Sequence, residues 1–224
     1  ADCPQLSFLR HRPEQIAGKT GAILRAKGAL PLVAVHPLSV RGSTELFVYT
    51  PDRDGLFATV TAVLDRLRFS VRESRILSSP TGMALDTFLL LDADSQQPVS
   101  TARAEELQQR LQRALTQSAG VQPSKRGMSR HQKHFQMTPK ISFHAAGDRT
   151  QLALVGTDRP GLLAAVAQIM LHAEVRVHDA RIATFGERVE DFFQLTDRHN
   201  APLDAGMQER LLQALMERIG PAQE

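Results

Sequence analysis

Residues 52–60 read DRDGLFATV, and residues 158–166 read DRPGLLAAV. At an offset of 106 positions, Asp52, Arg53, Gly55, Leu56, Ala58 and Val60 return as Asp158, Arg159, Gly161, Leu162, Ala164 and Val166. The same offset carries Val71, Arg75 and Ile76 onto Val177, Arg181 and Ile182. One residue is then lost, and Asp86, Phe88 and Asp92 recur as Asp191, Phe193 and Asp197. Self-similarity at a fixed spacing marks a repeated supersecondary unit. The chain holds two copies of one design.

Each copy has the same local grammar. An alternating β run comes first, Thr44 to Thr50 in one copy and Gln151 to Gly156 in the other. The Asp-x-x-Gly turn leads into a helix with apolar residues at helical spacing: Leu56, Val60, Val63, Leu64 and Leu67, then Leu162, Leu163, Val166, Ile169 and Met170. Pro160 suits a first helical turn, where a missing N–H costs nothing. A hairpin follows, with arms Phe69 to Ser78 and Met83 to Asp92 around Pro80–Thr81–Gly82, and arms Val175 to Thr184 and Glu187 to Thr196 around Gly186. An amphipathic helix closes each copy, through Leu107, Leu111 and Leu115 or Leu211, Leu212, Leu215 and Ile219.

Strand, helix, strand, strand, helix is a ferredoxin-like unit short of its last strand, so the fold class is α+β. Ile141 and Phe143 alternate with Ser142 and His144 and are expected to complete the first unit. The second unit has no such run after Gly220. The expected domains are 44–146 and 147–224, preceded by a linker, 1–43, from an upstream domain. That linker carries a Pro-initiated helix, Pro13 to about Lys27, and an apolar run, Pro31 to Val35. An uncovered sheet edge invites association. The two spare apolar runs are therefore expected to join the units side by side, with the Asp-x-x-Gly turns near the shared boundary.

Composition narrows the function. With 42% hydrophobic and 23% charged residues, the 224-residue chain can fill one or two cores. It has no Trp and one Tyr, Tyr49, so it is poorly supplied with stacking platforms for single-stranded nucleic acid. The formal charge is +3, and its densest basic stretch, Lys125, Arg126, Arg130 and Lys133 with His131 and His134, reads as a solvated linker. Cys3 is the single cysteine, which excludes a disulfide framework and fits a reducing, cytoplasmic setting. No apolar run reaches the ~18 residues of a membrane span. Beginning at Ala1, the chain looks like a piece of something longer.

The turn has binding chemistry. Free N–H groups at a helix start attract anions. An amino acid's α-carboxylate would suit the N–H groups of Gly161, Leu162 or Leu163, with the Asp158 carboxylate taking the α-ammonium. Asp52, Gly55 and Leu56 are the equivalents in the first unit. The plainer reading is that Asp52 and Asp158 cap their helices. By fold analogy, the start of the following strand supplies the other wall: Val177, His178 and Asp179, or Val71 and Arg72. Arg75 and Asp86, like Arg181 and Asp191, stand at equal distances from their turn centres and are expected to pair across the hairpin.

Catalytic motifs fail on inspection. Gly18–Lys19–Thr20 ends like a phosphate-binding loop, yet Pro13 stands where that loop needs its first glycine. His131 and His134 have no evident third ligand, so no metal site is assigned. Ser74, Ser78 and Ser79 lack a nucleophile elbow. No catalytic residue is assigned to this chain.

Asp-Arg-x-Gly-Leu after a first strand, with Val-x-x-x-Arg-Ile on the second, resembles the ACT module, a βαββαβ unit that regulates metabolic enzymes by binding amino acids. FLRHRPEQIA at 8–17, ELFVYTPDRDGLFATV at 45–60, ALDTFLLLD at 84–92, KHFQMTPKISFH at 133–144 and FGERVEDFFQLTD at 185–197 extend the resemblance to nearly the whole chain. Together they are similar to the C-terminal region of bacterial bifunctional uridylyltransferase/uridylyl-removing enzymes, which modify the nitrogen-signalling PII protein. The resemblance implies a tandem ACT pair that senses glutamine and sets the balance of two upstream catalytic domains. No cofactor is implied for this chain; Mg and UTP would serve the upstream domains. The sequence departs at Lys140 and Ser142, and at Arg53–Asp54, where Arg-Pro is common. The first loop is then the less rigid, and Asp158 is the first ligand candidate. An ACT pair for another small molecule, or a basic module for RNA or protein, are the competing readings.

Overall fold

A computed structural model describes residues 21, 23, 28–37, 42–79, 81–117, 121–122 and 137–220. The helix expected from Pro13 to about Lys27 lies almost wholly outside them, as does the basic stretch 125–134. Among the described residues from 28 onward, eight strands and four helices follow in order: β1 (Leu32–His36), β2 (Thr44–Pro51), α1 (Leu56–Arg66), β3 (Phe69–Leu77), β4 (Met83–Asp92), α2 (Thr101–Gln117), β5 (Lys140–Ala146), β6 (Arg149–Thr157), α3 (Leu162–His172), β7 (Arg176–Phe185), β8 (Arg188–Thr196) and α4 (Ala205–Ile219). No helix among the described residues is long and apolar enough to cross a membrane.

The strands form one antiparallel sheet, ordered β1-β2-β4-β3-β7-β8-β6-β5. Alternate residues of each strand, such as Leu46 and Val48, Ala84 and Phe88, Leu152 and Leu154, or Phe193 and Leu195, enter one apolar core with the helices. Helix α1 packs on α3 across the middle, flanked by α2 and α4. Each half of the sheet is a ferredoxin-like module.

The missing strands come from the other direction. β1 pairs with β2, and β5 pairs with β6, not with the first module. Each module therefore takes its fourth strand from the segment preceding its Asp-x-x-Gly turn. The division at 146/147 and the treatment of residues 31–36 as linker are corrected accordingly. The reason is local. Gly147 and Asp148 alone separate β5 from β6, and Gly147 has φ 67°, the left-handed geometry of a two-residue hairpin turn. Closing that turn costs far less chain entropy than returning from α2 to β2.

The modules join through β3 and β7, the hairpin strands, and the two spare runs cover the outer flanks instead. At the centre of this seam Arg75 faces Arg181, its own repeat equivalent. Self-pairing of equivalent positions is the mark of a two-fold relation. Each module thus covers the other's exposed edge.

The expected Arg–Asp cross-strand pairs do not form. At the base of the first hairpin Phe69 faces Asp92 and Val71 faces Leu90, the register that would bring Arg75 opposite Asp86. A bulge at Arg72 then shifts the pairing by one, so Arg75 faces Thr87. A bulge at His178 does the same in the second hairpin, where Asp191 faces Ile182. One residue of slip reverses the face of every side chain beyond it. On β3 and β7 it turns Arg75 and Arg181 away from the helices, whereas Asp86 and Asp191 keep the regular alternation of β4 and β8 beside Ala84 and Phe88, or Val189 and Phe193, and are buried, at 0% and 1% exposure.

Candidate functional site

Two clefts lie where the modules meet, related by the same two-fold. The first, about 730 Å³, is walled by the 52–58 turn of module 1 and by Met170, Leu171, Glu174, Arg176, Val177 and His178 of module 2. The second, about 640 Å³, is walled by the 158–164 turn of module 2 and by Leu64, Asp65, Arg68, Phe69, Ser70 and Val71 of module 1. The Asp-x-x-Gly turns do lie at the shared boundary.

Each turn is built identically. The Asp52 N–H donates to the Gly82 carbonyl at 2.8 Å and the Asp158 N–H to the Glu187 carbonyl at 2.7 Å, which ties the turn to the hairpin tip. The Leu56 and Leu162 N–H groups donate to the carbonyls of Arg53 and Arg159, both at 3.1 Å. The helices begin at Gly55 and Gly161, with φ of 80° and 73°, and neither has a side-chain cap. Capping by Asp52 or Asp158 is therefore corrected: the glycine's left-handed backbone starts the helix, and the next N–H groups of its first turn are left to an outside acceptor. The repeated arginines serve the fold. Arg53 donates to the Leu115 carbonyl at 2.7 Å and Arg159 to the Arg218 carbonyl, in the last turns of α2 and α4.

Glycine is also required by the neighbouring module. A Cβ on Gly161 would stand 3.2 Å from Asp65 Oδ1, and one on Gly55 would stand 3.3 Å from a Leu171 methyl. Leu171 is the repeat equivalent of Asp65. The same backbone approach thus meets an apolar side chain in the first cleft and a carboxylate in the second.

The turn aspartates differ in setting. Asp52 Oδ2 accepts a 2.6 Å hydrogen bond from Ser78 Oγ. Burial pushes Asp158 up to about 6, while its neighbour Arg159's N–H and the Arg72 guanidinium pull the other way. Burial and nearby Arg149 push His178 down, against the opposing pull of Asp52. Each bulge residue therefore sits within electrostatic reach of the other module's turn: Arg72 near Asp158, His178 near Asp52. His178 Nε2 also shares a 2.7 Å hydrogen bond with Thr196 Oγ1. In the first cleft Arg176 Nε donates to Asp54 Oδ1 at 2.9 Å, a bridge between modules.

Most residues expected at a site do converge, but crosswise. Asp52, Gly55 and Leu56 meet Val177 and His178, and Asp158, Gly161, Leu162 and Leu163 meet Val71. The start of the strand that follows a turn serves the other module's cleft; the turn's own module contributes only the far end of that strand, Ile76 and Ser78 or Ile182 and Thr184. Asp179 lines neither cleft; its place in the β3–β7 seam, opposite Leu77, keeps it away. Two residues went unrecognised: Asp86 in the first cleft and Asp191 in the second. Their signal is the alternation Ala84, Asp86, Phe88 and Val189, Asp191, Phe193, which sets each acid on the core-facing side of its strand. Among the described residues no group of three or more potential ligands could hold a metal ion.

No family model matches the chain. The bifunctional uridylyltransferase/uridylyl-removing enzyme of Xanthomonas campestris pv. campestris (strain B100) is 42% identical over 229 residues, covering 99% of this chain and 26% of that protein. That of Methylococcus capsulatus (strain ATCC 33009 / NCIMB 11132 / Bath) is 41% identical over 201 residues, 88% of this chain and 23% of that protein. The chain thus spans about a quarter of the length of these curated relatives. Among solved structures, aspartate kinase from Synechocystis aligns with TM-score 0.44 and 16% identity over 80% of this chain and 27% of its own. The ligand-free regulatory subunit of aspartate kinase from Thermus thermophilus aligns with TM-score 0.26 and 16% identity over 82% of this chain and 98% of its own. Over 99% of its length, then, the chain corresponds to the C-terminal region of the bifunctional uridylyltransferase/uridylyl-removing enzymes.

Proposed function

We propose that this chain is the regulatory region of a PII-protein uridylyltransferase/uridylyl-removing enzyme and that it binds glutamine in the clefts between its two modules. The observation that carries the reading is the pairing, in each cleft, of an uncapped helix start with an aspartate of the same turn. A zwitterion fits that pair. Its α-carboxylate would meet the first-turn N–H groups, and its α-ammonium the carboxylate of Asp52 or Asp158. The chain itself would carry out no catalysis and need no cofactor. UMP transfer to PII and its removal, with Mg and UTP, would belong to upstream domains, in the cytoplasm.

Because each cleft has walls from both modules, occupancy would stabilise one relative placement of the two. A ligand that favours one arrangement shifts the population toward it by no more than its difference in affinity. Calorimetry of the chain against the twenty amino acids tests the proposal. Saturable heat with L-glutamine, at one or two sites per chain, is expected. Binding of a different amino acid with none of glutamine would replace the ligand. Salt-sensitive RNA binding without amino-acid heat would replace the reading altogether.

A further inference from the structure

We infer that Asp86 and Asp191 set the ligand specificity of the two clefts, by hydrogen-bonding the side-chain carboxamide of the bound amino acid. The inference rests on the function proposed above and deepens it.

Both carboxyl groups are fully buried on the helix-facing side of the sheet, and both line their clefts. Neither oxygen of Asp86 completes a hydrogen bond, nor does Oδ1 of Asp191. The backbone N–H of Leu77 and that of Ala183 pull the two acids toward the charged form, but burial outweighs them. Among the described residues no cation compensates them; the charged neighbour felt by each is another acid, Asp52 for Asp86 and Asp158 for Asp191. A buried polar group without a partner is costly. The bulges at Arg72 and His178 carry Arg75 and Arg181 out of register with these acids, and the chain builds that device twice. A partner arriving with the ligand accounts for both the cost and the repetition.

The protonation of these groups identifies that partner. Burial, reinforced by the neighbouring acid, pushes Asp191 up to about 8 and Asp86 well above the ordinary carboxylate range. Each is then a neutral acid at pH 7, with one O–H donor and one carbonyl acceptor. A primary carboxamide offers the complement, an N–H donor and a C=O acceptor, and the two close a ring of two hydrogen bonds. A carboxylate side chain would add a further negative charge beside Asp52 or Asp158. An apolar side chain would leave the buried acid unpartnered. Asp52 and Asp158, nearer the helix starts, remain for the α-ammonium. Glutamine is accepted, and glutamate and methionine are disfavoured.

The test measures binding of L-glutamine, L-glutamate and L-methionine to the full chain by calorimetry, with melting curves alongside. The unaltered chain should prefer glutamine to methionine by roughly 10- to 100-fold. The Asp86→Leu/Asp191→Leu double variant should lose that preference without melting lower, since an apolar side chain of similar size replaces an unpaired acid. The Asp86→Asn/Asp191→Asn variant, whose amide can close the same ring, should keep the preference and decides the matter if the leucine variant does not fold. A folded leucine variant that still prefers glutamine, or a folded asparagine variant that does not, overturns the inference and leaves the proposed function standing. An unaltered chain that binds no glutamine overturns both.

Discussion

The two clefts share a backbone and differ in their walls. In the first, the turn glycine faces Leu171, the bulge residue is His178, and Asp54 is tied to Arg176. In the second, the turn glycine faces Asp65, the bulge residue is Arg72, and Pro160 stiffens the turn. A permanent cation near Asp158 offsets part of its burial, whereas His178, pushed down by burial, is neutral at pH 7. Duplication supplied two equivalent frames, and side-chain divergence made them electrostatically unequal. Two sites of unequal affinity are the expected consequence.

The largest expected effect tests that inequality directly. Asp158→Ala should weaken glutamine binding in the second cleft by roughly 10- to 100-fold and leave one intact site at the first, visible as halved stoichiometry at moderate ligand concentration. Equal weakening of both sites would show that the clefts act as one.

Backbone changes come next. Gly161→Ala imposes a side chain at φ 73° and presses on buried Asp65, and should cost about 1–3 kcal/mol in urea unfolding. Gly55→Ala carries the same backbone strain, but Leu171 is 37% exposed and can move. It should therefore cost less, and a larger loss at Gly55 would reverse the comparison.

The raised aspartates make stability depend on pH. A carboxyl held above its ordinary range binds a proton more tightly in the folded state. The stability it contributes is complete below about pH 4 and is lost as the pH rises through about 6 for Asp158 and about 8 for Asp191. Melting temperature should fall across that window. Asp191→Asn should flatten the upper part and raise the melting temperature at pH 8 by roughly 2–6 °C, for ~1–2 kcal/mol. An unchanged slope in that variant would mean Asp191 is not the titrating group.

The smallest effect belongs to the bridge between modules. Arg176 and Asp54 are 37% and 61% exposed, so Asp54→Ala should cost under about 1 kcal/mol and leave the second cleft's affinity unchanged. A larger loss of stability would mean that the bridge, and not the β3–β7 seam, holds the modules together.

Much of this was legible in the sequence because it is local. The offset of 106, the order of elements, the helix faces and the glycine at each helix start follow from periodicity and turn chemistry within a few tens of residues. The run Ile141–Phe143, expected to complete the first module, belongs to the second, although the Gly147–Asp148 turn points to that partner. The expected Arg75–Asp86 and Arg181–Asp191 pairs rest on equal distances from each turn centre, a count that holds only for an unbulged hairpin. Nothing in the alternation of residues announced an extra residue at Arg72 or His178.

By itself, then, the sequence determined that two ferredoxin-like units exist and where each Asp-x-x-Gly turn stands, since backbone preference and hydrophobic period act over short separations. Tertiary structure alone decided which strand covers which edge, that the units meet through β3 and β7, and that each turn is completed by the other module. It also decided that Asp86 and Asp191 line those clefts without Arg75 or Arg181 opposite them. Those outcomes depend on contacts between residues about a hundred positions apart, where burial and edge pairing of the whole sheet outweigh any local preference.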